Sequence, residues 1–222
     1  MPIFWAYTPL LYKETRLRFI FTLFLFLSSM AYAIEIKEND YSVRIFGGAS
    51  SASDFDQLYT FTGLNTSSYG TNVYGTDIGY KLVENLWDLP FDIYAKTGLA
   101  YFDENGHQAD FLELTLYIKL IYKLNAFGNQ FRFGIAEGVS YADSIPWTEK
   151  QEAIRENDNQ SNFLNYMEIT FDFDMGKLIR VKSMENYHLG YLIKHRSGAK
   201  GTYGGVYDGG SNYNCVYVEK NF

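Results

Sequence analysis

"FLELTLYIKLIY", Phe111–Tyr122, decides how this chain is read. Leu112, Leu114, Leu116, Ile118, Leu120 and Tyr122 fall on one side of an extended chain, and Glu113, Thr115, Tyr117 and Lys119 on the other. Side chains alternate faces along a strand, so the stretch reads as a strand with one apolar and one polar face. Its length matches the roughly 9 to 11 residues of a tilted strand that crosses a bilayer.

The pattern repeats. In "FLNYMEITFDFDMG", Phe163, Asn165, Met167, Ile169, Phe171, Phe173 and Met175 oppose Tyr166, Glu168, Thr170, Asp172 and Asp174. "PFDIYAKTGLAY" and "VYGTDIGYKLV" alternate in the same way. Strands are expected at about 40–49, 71–84, 90–103, 109–124, 130–142, 163–176, 185–198 and 210–222. Eight is an even number and the smallest size of a bacterial transmembrane barrel.

A soluble sandwich would alternate too, but its polar face would be evenly solvated. Here that face carries charges of both signs among small residues: Arg44, Asp77, Lys81, Asp92, Lys96, Glu113, Lys119, Lys123, Arg132, Glu168 and Asp172. Such a set can pair inside a narrow barrel, and the aromatic ends of the apolar face suit interface girdles. The expected fold class is therefore all-β, an eight-stranded antiparallel transmembrane β-barrel. Glu137 falls on the apolar face of its strand, unless a bulge at Gly134 or Gly138 shifts the phase.

The amino terminus supports export. Lys13, Arg16 and Arg18 precede the apolar run "FIFTLFLFLSS", which ends in "MAYA". This reads as a signal peptide over residues 1–33, cleaved before Ile34, with the barrel over 34–222 and the bacterial outer membrane as destination. The stretch ahead of the basic residues is unusually long and points to a start codon placed too early. Losing Lys13, Arg16, Arg18 and Glu14 with the leader leaves 16 Lys+Arg against 25 Asp+Glu, net −9, which argues against a nucleic-acid partner. The single cysteine, Cys215, rules out an internal disulfide, and no Cys/His cluster has metal-ligand spacing.

The long connections, about 50–70, 143–162 and 199–209, are expected to face outward. The second holds "WTEKQEAIREN", a charged helix that is either a lid over a site or a solvated loop element.

One pair of residues carries chemistry. In "YHLGYLIKHRSG", Tyr187, Leu189, Tyr191 and Ile193 form the lipid-facing row, which His195 and Ser197 continue at the outer end of the seventh strand. A serine becomes nucleophilic when a base accepts its proton, and histidine suits that task near neutral pH. A third polar group normally fixes the imidazole tautomer. Counting back from Phe222 gives the lipid-facing row Lys220, Val218, Val216, Asn214 and Asn212, with Asn212 nearest the height of Ser197 and Asp208 the charged alternative. The bland reading is an interfacial His and Ser among lipid headgroups.

The leader, the eight strands and an H-x-S motif at the outer end of strand seven, with "KHRSGAKG" and the following "GGSNY", resemble the outer-membrane lipid A 3-O-deacylases of the PagL type. The resemblance implies a cofactor-independent serine esterase that removes an ester-linked 3-hydroxyacyl chain from lipid A in the outer leaflet, with Ser197 as nucleophile and His195 as general base. Two positions depart from that family. Gly198 stands where it has an asparagine that helps the oxyanion, and Asn212 where it has a glutamate as the third catalytic member. Lys194, Arg196 and Lys200 are candidates for pairing with lipopolysaccharide phosphates. The alternative is a non-catalytic structural or adhesive barrel, and a small pore ranks third because eight strands leave little lumen. Either a monomer or a homodimer is compatible with the sequence.

Overall fold

The structure, a computed structural model, describes residues 39–53, 57 and 65–222. The expected leader, residues 1–33, lies outside them. Eight strands form: β1 (Tyr41–Ser50), β2 (Asn72–Val83), β3 (Phe91–Asp103), β4 (Phe111–Ala126), β5 (Asn129–Ala142), β6 (Phe163–Asp174), β7 (Tyr187–Ser197) and β8 (Gly210–Asn221). Each pairs antiparallel with the next, and β8 pairs with β1, so the sheet closes on itself. Closure leaves no strand edge unpaired.

Alternation becomes inside and outside. Leu114 and Leu116 are 58% and 61% exposed, whereas Glu113 and Lys119, one position out of phase, are 0% and 1%. Apolar residues outside and ions inside make a wall fit for hydrocarbon. Exposed aromatics gather at both rims of that wall: Tyr74, Tyr101, Tyr141 and Phe163 at the end bearing the long connections, Tyr41, Phe133 and Phe171 at the other. These are the interface girdles.

The lumen is filled by paired charges. Arg44 bonds Asp77 at 2.6 Å, Glu168 at 2.7 Å and the Tyr117 hydroxyl at 2.8 Å. Lys96 joins Asp77 and Glu219, Lys119 joins Glu168, and Arg132 joins Asp172 and Glu219. Four cations thus meet four carboxylates in one connected network. Nearer the outer end, Glu113 and Glu149 take Lys194 and Arg196. Phe102, Phe111 and Tyr213 pack above as an aromatic layer. A lumen so occupied is packed as a core.

The ladder of β5 runs unbroken through Gly134 and Gly138 against both neighbours. No bulge rescues Glu137, which remains on the outer wall. The register shift found among the described strands is elsewhere, between Lys81 and Val83 on β2. At the short-turn end, β4 and β5 join through Phe127 and Gly128, both at positive φ as a tight hairpin of this hand requires. The β6–β7 connection contains a five-residue helix, α2 (Met175–Ile179), capped by the Asp174 carboxylate. The expected charged helix is present as α1 (Trp147–Glu156).

Candidate active site

β7 brings His195 and Ser197 to the outer end of the barrel wall on the same face, each half-buried. β8 supplies the partner. Asn212 lies directly opposite His195 in the ladder, while Ser197 lies opposite Gly210, so Asn212 sits level with the histidine rather than with the serine as the count from the carboxy terminus suggested.

That register lets Asn212 Oδ1 meet His195 Nδ1 at 2.7 Å. The other end of the amide, Nδ2, donates to the Ser53 carbonyl at 3.1 Å. A carbonyl can only accept, so the amide is oriented with its oxygen toward the ring. Nδ1 therefore carries the proton in the neutral imidazole, and Nε2 is left with the lone pair. Among the described residues no hydrogen bond joins Ser197 Oγ to the imidazole; the two side chains are same-face neighbours on one strand. Asp208 is turned away to the Lys200 ammonium, 2.6 Å off, so it is not the partner of His195.

A cleft of about 620 Å³ opens over the pair, lined by His195, Ser197 and Asn212 on one side and by Glu152, Arg155 and Glu156 of α1 on another. The helix is pinned rather than loosely solvated. Its first N–H bonds Glu104 Oε2 at 2.8 Å, Trp147 stacks on His107 with ring centres 5.3 Å apart, and Glu149 reaches down to Ser211 and Arg196. Burial pushes the Glu149 carboxyl above its ordinary value. α1 is therefore a fixed wall of the cleft.

The 198–209 connection makes a further wall. Ala199, Lys200 and Gly201 all have positive φ, an uncommon run for residues with side chains, immediately after the serine. Gly198 is pressed against Val206: a Cβ there would lie 1.9 Å from the Val206 carbonyl oxygen. This loop accepts only glycine at that position, which explains why an asparagine is absent from it. Lys200 lines the cleft, paired with Asp208. Lys194 and Arg196 do not serve there, because the even positions of β7 point into the lumen, where both are bonded to Glu113.

One residue beside the pair, Asn165, escaped the sequence reading as a site residue. Asn165 stands opposite Ser197 in the β6–β7 ladder, and its Nδ2 donates to Glu137 and, at 3.2 Å, to the Gly138 carbonyl. The one available signal was Glu137 on an apolar face.

No family model and no curated protein matches the sequence. Among solved structures the barrel is similar to the outer membrane enzyme PagL, with a TM-score of 0.53 at 12% identity over 82% of this chain and 99% of that one. It is also similar to the amino-terminal β-barrel domain of OprF from Pseudomonas aeruginosa, TM-score 0.48 at 13% identity over 83% and 98% of the two chains. Neisserial surface protein A gives 0.47 at 11% identity over 84% and 100%. At these identities the likeness establishes the fold. The chain is a closed eight-stranded barrel of the bacterial outer-membrane kind.

Proposed function

We propose that this barrel is an outer-membrane serine esterase that removes an ester-linked 3-hydroxyacyl chain from lipid A. The observation that carries the reading is the Asn212–His195 bond. That bond puts the proton on Nδ1 and so makes Nε2 the basic nitrogen, on a ring that shares its wall face with Ser197.

In this mechanism Ser197 Oγ attacks the ester carbonyl while His195 Nε2 takes the hydroxyl proton. The tetrahedral oxyanion collapses, the sugar oxygen leaves with the proton returned by His195, and the acyl chain stays on Ser197. Water, deprotonated by His195, then releases it as a free acid. The Gly198 backbone N–H is the candidate oxyanion donor, in place of an asparagine side chain. The Ser197–His195 hydrogen bond closes when substrate is bound, as such bonds commonly do. No cofactor enters the sequence of steps.

The wall below the pair suits an acyl chain. Ile193, two residues below His195, and Ile169, opposite Ile193 in the ladder, begin an apolar groove of about 740 Å³ that runs past Ile135 to Phe133 and Phe171 near the opposite rim. A chain lying along its upper part stays within the membrane, so the lipid is cut without being extracted. Lys200 and Arg155 are the exposed cations of the cleft that can meet the lipid phosphates.

Mass spectrometry of lipid A from cells making the protein tests the reading. Loss of one hydroxyacyl chain is expected with the parent chain and not with Ser197→Ala; the same loss with both would sink it. Asn in place of a carboxylate at position 212 favours a second reading, a structural or adhesive barrel. In that case Ser197→Ala and His195→Ala change nothing, whereas deletion of residues 144–162 does.

A further inference from the structure

Glu137 and Asn165 have no part in the mechanism above. On β5 and β6 they stand on a face otherwise made of phenylalanine, isoleucine, valine, methionine and tyrosine, where polar groups carry a solvation cost. Asn165 is nevertheless 2% exposed, as deeply covered as the core. Its two amide protons are taken by the Glu137 carboxylate and the Gly138 carbonyl, both acceptors only. The orientation of the amide is thus settled by its partners. What remains is Oδ1, a hydrogen-bond acceptor with no donor among the described residues, on the residue facing Ser197 across the ladder. Facing residues of neighbouring antiparallel strands stand about 4.5–5.5 Å apart.

We propose that Asn165 is a specificity-determining residue, held in place by Glu137, whose Oδ1 accepts a hydrogen bond from a hydroxyl on the acyl chain close to the carbonyl that Ser197 attacks. A hydroxyl two carbons from that carbonyl lies within reach of the neighbouring strand. A plain acyl chain would cover Oδ1 with methylene and leave it unsatisfied, which is the more costly arrangement. Glu137 then has a reason to be on a lipid-facing wall: a carboxylate accepts only, so it forbids the flipped amide that would offer donors instead. The inference deepens the esterase reading and rests on it for the bond that is cut, although the recognition itself is a binding event.

The test separates the two. Purified barrel carrying Ser197→Ala, in detergent micelles, is given equal amounts of two glycolipids that differ only in a 3-hydroxyl on the ester-linked chain, and bound lipid is read by native mass spectrometry. The hydroxylated lipid should be retained about tenfold over its counterpart, the worth of one hydrogen bond. Asn165→Ala should bring the ratio to about one, and Glu137→Gln should lower it, with the folded barrel verified by its electrophoretic shift. A third lipid with a methoxy group in place of the hydroxyl keeps the oxygen but not the donor, and should lose the advantage on the unaltered wall. Equal retention of the first two lipids overturns the inference, as does a preference that survives Asn165→Ala or the methoxy group. A hydroxyl preference without Ser197-dependent ester hydrolysis would end the esterase reading and leave the binding site standing.

Discussion

At the scale of single residues, the site turns on Asn212. A carboxylate opposite histidine would both orient the ring and stabilise its charge; an amide can do only the first. Here its orientation is secured by the Ser53 carbonyl, so the first function is well provided. Replacing Asn212 by alanine should lower kcat by about 10-fold to 100-fold with KM little changed, the size of a mispositioned general base. Steady-state kinetics on an ester-linked acyl lipid would check it, and an equal fall in Ser197→Ala background activity would show the effect to be unrelated to catalysis. His195 and Ser197 were legible in the sequence because a two-residue spacing on a strand has one meaning. The level of Asn212 was not, because the register between β7 and β8 depends on a loop whose length says nothing of its path. The inward turn of Lys194 and Arg196 followed directly from strand phase, and nearness in sequence to Ser197 was a poor guide beside it.

Elements were the most legible scale. Every expected strand is present, with ends displaced by at most about two residues, because alternation over ten or more residues leaves one face to lipid and one to the lumen. What alternation cannot report is how connections hold one another. Asp158, just past α1, accepts the backbone N–H groups of Tyr207, Asp208 and Gly209 at 2.7, 2.7 and 3.0 Å, tying the fifth connection to the seventh beside the cleft. These backbone donors, that of Asp208 foremost, hold the Asp158 carboxyl below its usual range. A depressed carboxyl strengthens the folded arrangement above the ordinary aspartate value of about 4, and that contribution is lost as pH falls through the depressed value. Amide protection factors at 207–209 should therefore be flat from pH 5 to 8 and drop only in stronger acid. Asp158→Ala should abolish them at every pH, as read by hydrogen exchange, while the strands keep theirs; protection that survives the substitution would mean that the loops hold by other contacts.

For the molecule as a whole, stability rests on an interior of ions instead of an interior of hydrocarbon. Arg44 is 0% exposed and bound to two carboxylates. Removing one partner from such a network leaves the others buried and uncompensated, at a cost of about 3–5 kcal/mol. Arg44→Met should lower the unfolding free energy by that amount in denaturant titrations of the barrel in micelles, whereas Leu116→Met on the outer wall should change it little. The sequence showed that these charges share the lumen, since all occupy one strand phase. It could not show which pairs form, because Arg44 reaches Glu168 across a barrel whose diameter and stagger are set only on closure.

The filled lumen also bears on the cell that carries it. Porins admit small hydrophilic compounds in proportion to their number, whereas here the charges within are already spent on one another and an eight-stranded lumen is filled by side chains. Many copies can therefore accumulate without loosening the permeability barrier, and the sensitivity of the cell to small hydrophilic antibiotics should stay constant as expression rises.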